Sequence, residues 1–214
     1  MPIDVMLDDL DLTAFVSSKI CHDLVGPVGA INNGLELLEE ETDDETREYA
    51  FELIQNSAQI AWARLEFARL ALGASAGLGT VIDLGHAERI ARAFVEEGRH
   101  KLKWTGPQGG VDKHLTRLLL MLISISMHAI PAGGEIQVTV SNNLAAPTFQ
   151  IECRGRGARI PELAADIFAG RRVEGLDPRV ILPYYAWRLA SRSGMAVSVA
   201  KKGAEVAFVA APTR

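Results

Sequence analysis

His22 is set among residues that suit a reactive surface and do not suit an ordinary helix. Ser18 and Lys19 precede it, and Asp23, Gly26, Pro27 and Gly29 follow. Imidazole titrates near about 6.5 in water, so at neutral pH it offers a free nucleophilic nitrogen. Three chemistries are open to such a residue: nucleophile, metal ligand, or none. The metal reading lacks partners, because positions 18 and 26 are Ser and Gly and the other histidines fall at 86, 100, 114 and 128. A Cys21–His22 couple is disfavoured by geometry, since adjacent helix side chains diverge by about 100°. The same divergence leaves contact between His22 and Asp23 open, whereas Ser18 at i−4 and Lys19 at i−3 can touch the ring.

The element that must carry His22 is a long helix from about Asp9 to Glu41, in which Leu24, Val28, Ile31, Leu35 and Leu38 recur at steps of four and three. With Leu24 at zero on a wheel of about 100° per residue, His22 falls near 160°, facing away from that stripe. Phe15, Ser18, Gly26, Gly29 and Asn33 share its arc. Gly26 and Gly29 each lower helix propensity by about 1 kcal/mol relative to alanine, and Pro27 removes a hydrogen bond and crowds the Asp23 carbonyl. Such breaches of local rules are expected where function demands them. The arc of Phe15, Ser18, Lys19, Gly26, Gly29 and Asn33 is therefore the expected docking face of a visiting protein, with Phe15 as an apolar anchor.

A second helix follows the break EETDDET, where Thr42, Asp43 and Asp44 can each serve as N-cap. Its stripe is Ile54, Ala58, Ala61, Leu65, Ala68 and Leu72, ending at Gly73. Two long helices joined by a short turn make a hairpin, which alone rarely buries enough apolar surface. A homodimer built as a four-helix bundle covers both stripes, and cover by the rest of the chain is the alternative.

Residues 74–82, ASAGLGTVI, read as a linker between this hairpin (1–73) and a second domain (83–214). Leu84 to Glu97 and Leu115 to Ile130 read as helices, while EIQVTVSN, APTFQIECR and MAVSVAKKGAEVAFVAA alternate as strands. The expected class is thus α+β and multidomain, a helical hairpin followed by an α/β sandwich.

Composition narrows the partners. Residues 1–73 hold 15 acidic side chains against 4 basic ones, and the remainder 12 against 18. The basic residues are scattered and carry no nucleic-acid motif, so nucleic-acid binding is not expected. Cys21 and Cys153 are too few and too distant for a disulfide framework or zinc site. The acidic N-terminus and the lack of a long apolar stretch predict a cytoplasmic protein that does not enter a membrane.

His22-Asp23-Leu24, Pro27-Val28 and Ile31 resemble the H-box of sensor histidine kinases, H-[ED]-L-x-x-P-L-x-x-I, carried by their dimerisation and phosphotransfer hairpin. The resemblance implies that His22 accepts a phosphoryl group as a phosphoramidate and that Asp23 orients or deprotonates the ring. The second domain resembles the ATP-binding domain of the same kinases, in a degenerate form. RLLLMLISISMHAIPAGGEIQV resembles the helix of the asparagine box, but Ile125 stands where the magnesium-holding asparagine belongs, between Ser124 and Ser126. Asp-x-Gly-x-Gly appears as CRGRG, with Cys153 in place of the adenine-binding aspartate. DPRVILPYYAWRLA, with Pro183, Tyr184 and Tyr185, stands where a glycine-rich lid belongs.

An H-box without a nucleotide site resembles the histidine phosphotransferases of alphaproteobacterial cell-cycle phosphorelays, over nearly the whole chain. This implies no ATP and no cofactor in the chain itself, with magnesium held by the partner receiver domain. The donor implied is the receiver of a CckA-like hybrid kinase, and the acceptors are CtrA-like and CpdR-like response regulators. Gly26 replaces the Thr or Asn that phosphatase-competent kinases carry, so phosphatase activity is not implied. The rival reading is a non-enzymatic dimeric scaffold for response regulators.

Overall fold

A computed structural model describes residues 7–40, 43–73, 80–171, 173 and 180–213. Helix α1 spans Asp9–Glu39 and α2 spans Asp44–Ala71, packed antiparallel as a hairpin. Each starts on an aspartate that accepts a backbone N–H of the first turn: Asp8 from Asp11 at 2.8 Å, Asp43 from Thr46 at 2.9 Å. Of the three cap candidates for α2, Asp43 takes the role, and the same backbone bond lowers its carboxyl pKa. Thr42 lies outside the described residues.

The seam between the helices is one residue away from the expected one. Pro27 and Gly34 are the buried positions of α1, with Gly34 set against Ala50 and Ile54 of α2, whereas Val28 and Leu35 stay 46% and 48% exposed. Close approach explains the difference. A Cβ on Gly34 would lie 2.6 Å from Ile54 Cγ1 and 3.2 Å from the Ala50 carbonyl oxygen, so small residues hold the seam. The larger side chains are left on an outer face, where Val28 and Leu35 share the surface of the hairpin with Phe51, Trp62 and Leu65 of α2.

The second domain opens with β1 (Val81–Asp83), which pairs antiparallel with β3 (Gly110–Asp112). The expected linker therefore ends too late: Val81 and Ile82 are strand, Ile82 is buried, and residues 74–79 lie outside the described residues. Helix α3 (Leu84–Val95) and strand β2 (His100–Thr105) follow, then α4 (Lys113–Ala129) and β4 (Gly134–Val140), with β2 and β4 parallel. Strand β5 (Phe149–Arg154), helices α5 (Ala164–Phe168) and α6 (Ile181–Arg192), and the hairpin β6 (Met195–Lys202) and β7 (Glu205–Pro212) complete a five-stranded sheet of order β2-β4-β5-β7-β6. Strand β2 was not anticipated, although HKLKWT alternates with Leu102 inward. Pro183, Tyr184 and Tyr185 lie in α6 rather than in a lid, because Tyr184 is fully buried in the core; Asp177 to Arg179 lie outside the described residues.

Helix α4 is buried nearly all round, as expected for a helix with apolar residues on every face. It ties the domains together. Phe67, Leu70 and Ala71 of α2 belong to the same core as α3 and α4, and Phe67 stacks on Phe94 at a centroid distance of 3.9 Å. Arg117 of α4 donates to the Leu70 carbonyl at 3.3 Å and to that of Gly73, capping the end of α2. The second domain thus covers one side of the hairpin's foot, while Trp62 and Leu65 on the same stretch of α2 stay exposed.

Candidate functional site

His22 projects from α1 on the side opposite Pro27 and Gly34, and its side chain is 86% exposed. Its Nδ1 lies 3.5 Å from Oδ1 of Asp23, at the limit of a hydrogen bond. Asp23 is held more firmly by Lys19, whose Nζ lies 2.5 and 2.6 Å from the two carboxylate oxygens. The expected contact of Lys19 with the ring is thus replaced by a contact with Asp23, for which the i,i+4 spacing is well suited. With Nδ1 turned toward an acid, Nε2 is the nitrogen left free for attack on an incoming group.

The remaining residues of the expected docking arc divide. Ser18, Gly26 and Asn33 are exposed and Gly29 is half-buried, all on the side of His22. A Cβ on Gly26 or Gly29 would meet nothing within 4 Å, so neither glycine is required by packing within the chain. Phe15 does not fit the role of a free anchor. Its ring is half-buried against the hydrophobic core, because the second domain reaches the first turns of α1, where Arg188 of α6 pairs with Asp9 at 3.1 Å. A helix wheel shows the angle of Phe15 but not which helix meets it. Val25 was missed: it is 69% exposed, three residues after His22 on the same helix surface, and is the apolar side chain closest to the imidazole in sequence on that face.

The positions that resemble nucleotide-binding boxes are packed as core. Ile125 is fully buried in α4, and Ser126 donates its hydroxyl to the Ile123 carbonyl at 2.6 Å. Cys153 is fully buried on β5, and burial pushes its thiol up to about 12. The glycines of CRGRG serve the backbone: Gly157 has φ +75°, and a Cβ on Gly155 would lie 2.4 Å from the Gly133 carbonyl oxygen. Among the described residues no group of three or more His, Cys, Asp or Glu is arranged to hold a metal ion, and no helix is long and apolar enough to cross a membrane.

Comparison with known proteins shows the family. The family model for the histidine phosphotransferase C-terminal domain matches residues 84–205. Protein phosphotransferase ChpT of Brucella abortus (strain 2308) is 39% identical over 211 residues, covering 98% of this chain and all of that protein. A solved bacterial phosphotransferase superposes with a TM-score of 0.88 at 38% identity, over 97% of this chain and 99% of that one. By these matches the chain belongs to the ChpT-type histidine phosphotransferase family.

Proposed function

We propose that His22 is the phosphoryl carrier of this phosphotransferase, taking the group from a receiver-domain aspartate and returning it to another. The observation that carries the reading is the exposure of His22 on a helix face bared by Gly26 and Gly29. In the forward step Nε2 attacks the phosphorus of the receiver's aspartyl phosphate. The N–P bond forms, the P–O bond breaks, and the aspartate carboxylate leaves; the Nδ1 proton is stabilised by Asp23. The second receiver reverses the step, its carboxylate attacking and the imidazole leaving. Magnesium, where it is needed, is supplied by the receiver.

The donor is the receiver of a CckA-like hybrid kinase, and the acceptors are CtrA-like and CpdR-like response regulators of a cell-cycle phosphorelay. The receivers dock over Ser18, Val25, Gly26, Gly29 and Asn33. ATP is not a donor: with Ile125 and Cys153 buried and the Ser126 hydroxyl already bonded, the ordinary contacts to magnesium and adenine are missing. The protein works as a homodimer in which Val28 and Leu35 of α1 and Phe51, Trp62 and Leu65 of α2 close a four-helix bundle, a face too apolar to leave in water. The protein acts in the cytoplasm.

The test places the chain with phosphorus-labelled receiver in one reaction and labelled ATP in another, with calorimetry of magnesium-ATP alongside. Label arriving from the receiver alone supports the reading. Label from ATP, or a micromolar nucleotide isotherm, overturns it.

A further inference from the structure

Pro27 has no N–H, and in an α-helix that N–H is the partner of the carbonyl four residues earlier. The carbonyl concerned is that of Asp23, next to His22. It is not left free. Arg64, from the seam of α2, donates from Nη1 to the Asp23 carbonyl oxygen at 2.6 Å. The other side of the guanidinium is held from the second domain: Nε lies 2.8 Å and Nη2 2.7 Å from Oε1 of Glu97, in the turn between α3 and β2. Glu97 is a costly residue in that place. Its side chain is only 10% exposed, its Oε2 is buried with no hydrogen-bond partner, and burial raises its pKa above the ordinary carboxylate value against the pull of Arg64. An ion pair serving only to hold the domains together would not need the third contact, to a carbonyl whose usual helical donor is missing because position 27 is proline.

We propose that Arg64 is a positioning residue for phosphoryl transfer at His22, supplying to the Asp23 carbonyl the donor that Pro27 lacks, with Glu97 aiming its guanidinium. That bond ties the turn of helix that carries Lys19, His22 and Asp23 to α2 where the helix's own hydrogen bond is missing. The angle of that turn to the rest of α1 sets where the imidazole meets a receiver docked farther along the same face. Displacements of about 1 Å at a reacting centre reduce rates by up to about a hundredfold. Through Glu97 the second domain, though it offers no nucleotide site, contributes to the geometry of the reacting histidine.

This inference rests on His22 being the carrier, so the experiment reads both. Single-turnover transfer from a phospho-receiver is measured on the full-length chain for the wild type, Arg64→Gln, Pro27→Ala and the double variant, with melting and oligomeric state followed. Pro27→Ala restores an N–H to the Asp23 carbonyl and makes Arg64 redundant there. The expectation is that Arg64→Gln lowers the maximal rate about tenfold at unchanged half-saturating receiver concentration, and changes it by less than about twofold in the Pro27→Ala background. Glu97→Ala slows transfer by a smaller factor and adds nothing to Arg64→Gln. If Pro27→Ala is itself inactive, the same cycle is read from hydrogen exchange of the amides of residues 22–28, which Arg64→Gln accelerates only when Pro27 is present. Should Arg64→Gln not fold, Arg64→Lys, which keeps the charge but not the fork, is measured in its place. An equal loss in both backgrounds, a change only in half-saturation, or no loss at all overturns the proposal. If His22 itself takes no label, it is the carrier reading that has failed; if His22 is labelled and the cycle is additive, only the role of Arg64 has failed.

Discussion

Lys19 Nζ holds both carboxylate oxygens of Asp23, at 2.5 and 2.6 Å, while the imidazole of His22 stands 3.5 Å from one of them. The acid beside His22 is therefore restrained from one turn below, in reach of Nδ1 but not bonded closely to it. In the proposed transfer, charge developing on the ring would draw Asp23 toward Nδ1 at the expense of its contact with Lys19. Asp23→Asn is expected to slow transfer from a phospho-receiver by about a hundredfold, the lower end of what a positioned acid–base group contributes. Rapid-quench measurement of the first turnover checks this. A rate within twofold of wild type would remove Asp23 from the mechanism.

The glycines of α1 separate by purpose. Gly29→Ala is expected to stabilise the protein by up to about 1 kcal/mol, because its Cβ enters open space while the helix gains propensity. Gly34→Ala should lower the melting temperature, since its Cβ would press on Ile54 Cγ1 at 2.6 Å. Gly26→Leu should leave melting nearly unchanged and obstruct the receiver, seen as weaker binding in calorimetry.

Val25, rather than Phe15, is the expected apolar anchor of a receiver. Val25→Ala is expected to weaken receiver affinity several-fold with melting unchanged, as for an exposed apolar contact. Phe15→Ala should cost about 1–3 kcal/mol of stability with little effect on receiver affinity, because its ring packs on the core. Parallel denaturation and binding curves distinguish the two.

The cysteines provide a test of burial. Cys21 is exposed and should react with a maleimide at neutral pH; Cys153 should react only after denaturation. Folding raises the Cys153 thiol from 9.0 to about 12, so the folded state binds its proton more tightly than the unfolded state does. Its contribution is complete below pH 9 and is lost as pH rises toward about 12. The stability advantage of wild type over Cys153→Ala should therefore narrow by about 1.4 kcal/mol per pH unit across that window. A constant difference would show that Cys153 is not sealed in the core.

The hairpin, the sheet domain and the outward angle of His22 were legible because they depend on periodicity within single elements. The seam was misplaced by one residue because large apolar residues at Val28 and Leu35 mark an outer face as strongly as Pro27 and Gly34 mark the inner one. Small residues carry no hydrophobic signal, yet they decide how closely helices approach. The role of Phe15 and the contacts of Arg64 depend on where the second domain lies, to which local spacing is blind. Arg64 stands 41 residues from the carbonyl it caps and 33 from Glu97. Only the missing N–H of Pro27 hinted that some donor must come to Asp23.

The most direct measurement of the central claim is identification of the phosphorylated residue after mixing the chain with a phosphorylated receiver domain. The prediction is acid-labile label on His22, absent from His22→Ala, whose melting temperature stays near wild type because an exposed substitution changes stability by under about 0.5 kcal/mol. A folded His22→Ala protein that takes up label at the wild-type rate would contradict the account.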